Sequence, residues 1–136
     1  MELEERVEQL ERSNAELSKK INDLEFRIEL IASPTHINRV LYDYAVNRQE
    51  YDAIMDLMDD VRKSLDDKQG YTHTKFENEM KKIFSDPEDV KHDYHFAEDV
   101  AKAFMEDGRW KEVFPALYGK LPKFKGYFNY KDNEAY

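Results

Sequence analysis

The chain contains no cysteine in its 136 residues. That excludes a disulfide framework and any thiol chemistry. Glycine is also scarce, with four residues, and no P-loop, G-x-G-x-x-G or G-x-S-x-G pattern is present. Phosphate-cradling loops and a nucleophile elbow are therefore absent. No apolar run approaches the roughly 20 residues that cross a bilayer, and the acidic start lacks the layout of a signal peptide. The expectation is a soluble, intracellular protein with no membrane partner. Positive charge is in deficit: 21 Lys and Arg stand against 30 Asp and Glu, a net charge of −9. Nucleic-acid surfaces are normally basic, so direct nucleic-acid binding is disfavoured. No stretch sustains the alternation of a strand, so the expected class is all-α.

The strongest positive feature is a heptad repeat over residues 3–31. Leu3, Leu10, Leu17, Leu24 and Ile31 form the d series, and Val7, Asn14, Ile21 and Ile28 the a series. β-Branched residues at a with Leu at d favour a parallel two-stranded coiled coil, and one polar a residue, Asn14, fixes register and dimer state. The g residues are Arg6, Ser13, Lys20 and Arg27; the e residues are Glu4, Glu11, Ser18, Glu25 and Ala32. Parallel chains set Arg6 against the partner's Glu11 and Lys20 against the partner's Glu25. Antiparallel chains would set g against g and e against e, bringing like charges together. Residues 1–32 are therefore read as the dimerisation helix of a parallel homodimer.

Residues 33–119 read as a small multi-helix body with one modest core. Ser33 and Pro34 suit the N-cap and first position of a second helix, which carries Ile37, Val40, Leu41, Tyr44 and Ala45. Asn47 either ends this helix or caps the next, with Glu50 at capping-box spacing. Tyr51, Ile54, Met58, Val61 and Leu65 form the stripe of a third helix, with Gly70 as its terminator. A fourth begins at Thr72 or Thr74 and carries Phe76, Met80, Ile83 and Phe84. Asp86 and Pro87 open a short helix or turn through Val90. Phe96, Val100, Ala103 and Phe104 mark a fifth helix, stopped by Gly108. Trp110, Val113, Phe114, Leu117 and Tyr118 mark a sixth, short and disturbed by Pro115; Trp110 is expected to be largely buried between the last two helices. From residue 120 to 136 the composition changes. Lys120, Lys123, Lys125 and Lys131 alternate with Phe124, Tyr127, Phe128 and Tyr130, and Pro122 and Gly126 break any helix. This segment reads as an extended tail whose aromatics pack on the body or on a partner; stacking on single-stranded nucleic acid is the alternative use of such a pattern.

The segments LEFRIELI, YDAIMDLMDDVRKSL, GYTHTKFENEM and FAEDVAKAFMEDGRWKEVF follow one another in an order that resembles the small YhaI-like proteins of Bacillus. The resemblance spans about residues 20–118 and consists of helices and apolar positions, not a catalytic motif. It implies an oligomeric helical protein of bacterial or phage origin. The family's function is unknown, so no functional residue carries over. The long zipper and the Lys/aromatic tail depart from it.

No constellation in the chain demands an enzyme. His92, Asp93, His95, Glu98 and Asp99 put possible ligands on one helical face, but they lack the H-E-x-x-H logic and are read as structural or solvated, with no metal and no cofactor expected. His36 and His73 sit beside helix starts and read as capping or surface residues. The third helix carries a dense acidic flank, Asp52, Asp56, Asp59 and Asp60, joined by Glu50, Asp66 and Asp67. Such a flank is either a solvated face or a surface for a basic protein, in the manner of a nucleic-acid mimic. The leading expectation is a non-enzymatic dimeric interaction protein, a phage or prophage regulator or inhibitor that meets a basic host protein through Asp52, Asp56, Asp59 and Asp60 or through Phe124, Tyr127, Phe128 and Tyr130. A purely structural coiled-coil protein is the second reading. A metal-dependent enzyme built on His92 and His95 is the third.

Overall fold

In the computed structural model, residues 2–66, 70–84 and 92–126 are described, and all regular structure among them is helical. The order is α1 (Leu3–Ala32), α2 (His36–Asp43), α3 (Arg48–Leu65), α4 (His73–Ile83), α5 (Tyr94–Glu106) and α6 (Val113–Tyr118), followed by a helical turn over 122–126.

α1 runs for 30 residues without Gly or Pro, about 45 Å at helical rise. It stops where Ser33 meets Pro34, because the residue before proline is pushed out of the helical region. Its first two-thirds carry charged or polar residues at every c and f position: Glu2, Glu5, Gln9, Arg12, Glu16 and Lys19. In the last third the same positions hold Asp23 and then Phe26 and Leu30, which are buried, 2 % and 5 % exposed. This short inner face docks on the body. The Phe26 ring stacks on Tyr51 at 5.7 Å, the Arg48 guanidinium lies 5.0 Å from its centre, and Arg48 pairs with Glu29 at 2.6 Å.

α2 does not begin as the Ser33–Pro34 pattern suggests. Thr35 is the N-cap, its hydroxyl accepting from the Asn38 N–H, and Asn38 returns a side-chain bond to the Ser33 carbonyl. Pro34 therefore lies outside the helix. A second cap comes from far along the chain. The Asp107 carboxylate, at the end of α5, accepts from the backbone N–H of His36 at 3.0 Å and of Ile37 at 2.8 Å, and contacts His36 Nδ1 at 2.8 Å. α2 ends in a Schellman motif: Val46 N–H donates to the Leu41 carbonyl and Ala45 N–H to the Tyr42 carbonyl. The left-handed position is Ala45, at φ 56°, where glycine is usual.

Asn47 caps α3 in a reciprocal box. Its Oδ1 accepts from the Glu50 N–H at 2.8 Å, and Glu50 Oε1 accepts from the Asn47 N–H at 2.9 Å. Ile54, Met58 and Val61 bury the stripe expected of α3. The helix gives out at Asp66, and Gly70 follows at φ 70°. Thr72, not Thr74, caps α4 through the Lys75 N–H. The turn expected from Asp86 through Val90 lies outside the described residues. α5 is the centre of the body, buried along Phe96, Ala97, Val100, Ala101 and Phe104 and packed against α2, α4 and α6. Gly108, at φ 80°, closes it in a second Schellman motif, with Arg109 N–H on the Phe104 carbonyl.

Pro115 does not disturb α6. It occupies the first turn, where an N–H has no partner within the helix in any case. Trp110 is half-buried rather than enclosed. Its ring meets Phe104 edge-on at 4.8 Å, while its Nε1–H reaches outward to Asp59 Oδ1 at 3.0 Å. The segment after Gly119, expected to be extended, turns helical over 122–126 with Pro122 as its first residue, a position proline accepts.

Candidate functional site

The most exposed apolar surface is the outer face of α1. Leu3, Val7, Leu10, Leu17, Ile21, Leu24, Ile28 and Ile31 are all exposed, from 45 % at Val7 to 77 % at Leu3. Asn14 is exposed on the same stripe. All nine are a and d residues, and they stay on one side of the helix while Phe26 and Leu30 face the body from the other. Scattered exposed leucines are ordinary; a stripe about 45 Å long, broken only by Asn14, is not.

The charges beside the stripe divide into two groups. Arg6, Glu11, Lys20 and Glu25 form no ion pair within the chain among the described residues. Arg27, by contrast, turns its guanidinium over the Tyr42 ring of α2 at 4.5 Å.

Asp52, Asp56, Asp59 and Asp60 are all exposed on α3, but they do not form one uninterrupted surface. Asp52 borders a polar cleft of about 410 Å³ between α1 and the start of α3, with Lys19, Asp23, Glu25 and Arg48 on its walls. Asp56 and Asp60 line a shallow depression of about 280 Å³ against Glu79 and Lys82 of α4. Lys82 there is engaged with Glu79 at 2.9 Å. Burial, and then the Glu79 and Asp60 carboxylates, push the nearby Tyr71 hydroxyl up to about 12. Asp59 is occupied by the Trp110 indole.

Of the tail residues proposed for contact, Phe124 is half-buried against the body, while Tyr127, Phe128 and Tyr130 lie outside the described residues.

The histidine group is dispersed. His92 stacks flat on Phe84 at 3.7 Å, meets Phe96 edge-on, and sets Nε2 3.1 Å from the Tyr44 carbonyl. Asp93 caps α5 through the His95 N–H, Asp99 accepts from the Tyr44 hydroxyl, and His95 faces Glu98 at 3.8 Å. Among the described residues no three His, Asp or Glu side chains are arranged to hold a metal ion. His36 belongs to the Asp107 cap, and no described helix is long and apolar enough to cross a membrane.

Three features were not anticipated: the inner face of α1, the Asp107 cap, and the buried Glu98. The first had a signal, since Phe26 and Leu30 are apolar at f and c positions that are charged or polar earlier in the helix. No family model, no curated protein and no solved structure matches the chain.

Proposed function

We propose that this chain is a non-enzymatic interaction protein that works as a parallel homodimer, joined along the outer face of α1 and offering the acidic flank of α3 to a basic protein. The observation that carries the reading is the division of α1 into two apolar faces. One is short and satisfied by the body; the other runs the whole helix and is exposed among the described residues. A second copy fits it. The heptad spacing supplies knobs for holes, Asn14 sets the register, and parallel pairing brings Arg6 to the partner's Glu11 and Lys20 to the partner's Glu25. Among the described residues, the four that those pairs need form no ion pair within the chain. Arg27, which would meet the partner's Ala32, is engaged by Tyr42 instead. Because Phe26 and Leu30 point away from a and d, the two bodies would flank the coil on opposite sides. Each presents Asp52, Asp56 and Asp60, and two weak contacts on one partner assembly gain avidity without any new contact.

On this reading the protein is a regulator or inhibitor of bacterial or phage origin, and residues 20–118 are related to the YhaI-like proteins. The test uses affinity capture from the native host with the wild type and with a chain carrying Asp52→Lys, Asp56→Lys and Asp60→Lys. The reading expects a basic partner that the wild type retains at low salt, sheds as salt rises, and that the reversed chain does not retain. Equal retention by both chains would move the contact off α3.

A further inference from the structure

Glu98 is the one buried charged side chain among the described residues, 7 % exposed. A carboxylate taken from water is costly unless it is paired and hydrogen-bonded. Its partner comes from the C-terminal segment: Lys123 Nζ donates to Glu98 Oε1. The same ammonium group lies 5.1 Å from the centre of the Tyr94 ring and 5.2 Å from that of Phe124. Glu98 also faces His95 Nδ1 on its own helix at 3.8 Å. Across the socket on α4, Glu77 accepts from the Tyr118 hydroxyl at 3.5 Å. Burial pushes the Glu77 carboxyl up against the pull of His73, and the Glu98 charge adds to the rise. Beside this acidic socket is an aromatic slot. Phe124 sets its ring edge-on against Phe114 at 5.0 Å and against Tyr118 at 5.9 Å.

A carboxylate socket with an aromatic wall, next to an aromatic slot, reads two consecutive side chains: a lysine and then an aromatic residue. The resident segment is only partly buried. Two tight turns connect it to α6, with Leu121 N–H on the Tyr118 carbonyl and Phe124 N–H on the Leu121 carbonyl. The Lys123 side chain remains 46 % exposed. Partly exposed segments open at lower free energy than the core they rest on.

We propose that Glu98, Tyr94, Phe114 and Tyr118 form a recognition site for a Lys–aromatic peptide segment, occupied in cis by Lys123 and Phe124, and that a partner carrying such a segment binds by displacing the resident one. The inference requires neither the dimer nor the acidic flank of α3. Tethering holds the resident segment at an effective concentration in the millimolar range, so the occupied site masks its own affinity.

The probe is a fluorescein-labelled synthetic peptide with the sequence of residues 120–126, followed by fluorescence anisotropy. Full-length protein carrying Lys123→Ala and Phe124→Ala has an emptied site and should bind it saturably, about tenfold or more tighter than the wild type does. Adding Glu98→Gln should weaken that binding by about tenfold or more, since it removes one partner of a buried charge pair. A peptide with norleucine in place of the lysine that corresponds to Lys123 should weaken it similarly, with no change to the protein. Hydrogen exchange on the wild type is the second readout: excess unlabelled peptide should speed exchange of the 121–126 amides and leave the α5 amides unchanged. A site that is only packing gives no saturable binding to the emptied chain and no change in exchange, and either result overturns the proposal. Equal binding of the lysine and norleucine peptides also overturns it.

Discussion

Asp107→Asn should destabilise the fold by about 2–3 kcal/mol at neutral pH, and by progressively less as the pH falls below about 4. The wild-type carboxylate, at the end of α5, accepts from the backbone N–H groups of His36 and Ile37 at the start of α2, 71 and 70 positions away in sequence. A carboxylate at the end of α5 is unfavourable for that helix's dipole and favourable for the N-terminus of α2. The two direct amide bonds and the His36 contact decide the balance. Hydrogen bonds to a charged group contribute about 1.5–3 kcal/mol each. Asn keeps one acceptor oxygen but turns an NH₂ toward the second N–H, so one bond is lost and a donor is left facing a donor. Burial raises the Asp107 carboxyl, but the Ile37 and His36 bonds outweigh it and hold it below the ordinary value of 3.8. The sign follows. With a folded value below the unfolded one, the ionised cap contributes fully above about pH 4 and is lost as pH falls through the lower folded value. Urea unfolding of both proteins at pH 7, 5, 4 and 3 reads this directly. Equal stability at pH 7, or a difference that does not shrink between pH 5 and pH 3, would refute the ionised cross-chain cap.

Three further outcomes follow from the same geometry. Phe26→Ala should cost about 3–5 kcal/mol of unfolding free energy while leaving self-association intact, whereas Leu17→Glu should abolish self-association and leave the stability of the body unchanged; urea unfolding and sedimentation on both variants separate the two faces. Ala45→Gly should stabilise the protein by about 0.5–1 kcal/mol, because the left-handed position at φ 56° burdens a Cβ; a loss in thermal unfolding would mean the Schellman geometry is not held in solution. Trp110→Phe should cost about 0.5–1.5 kcal/mol through loss of the Asp59 bond, and Asp59→Ala combined with it should add little more, which a double-mutant cycle measures.

The helices were legible because their signals are local. Asn47 and Glu50 form their cap from residues three apart, Gly108 ends α5 where a left-handed residue is required, and the α3 stripe repeats on one face. The misreadings arose where two local signals compete or a distant group intervenes. Ser33–Pro34 is a good helix start, but Thr35 lies one residue on, and its hydroxyl together with the Asp107 carboxylate fixes the later start. Nothing near Asp107 reveals that it caps α2. Trp110 has the spacing of a core residue, yet its indole N–H needs an acceptor and finds one in Asp59 at the rim, so the ring stays half-buried. The heptad repeat concerns the a and d residues of α1, and Phe26 and Leu30 lie outside it, at f and c. Their role depends on where the body lies, which the coil repeat does not encode. Glu98 read as one of several helix-surface carboxylates because its partner, Lys123, stood in a segment taken to be extended.

Two copies are proposed to pair in parallel along the outer face of α1. Leu3→Cys tests it most directly, since the chain has no other thiol. In a parallel dimer the two position-3 residues face each other across the seam at d; in an antiparallel one they stand about 45 Å apart. Under mild oxidation at tens of micromolar, the parallel account predicts near-complete disulfide-linked dimer, with Leu17→Glu in the same chain abolishing it. A chain that sediments as a monomer, or a dimer that does not cross-link, would contradict it.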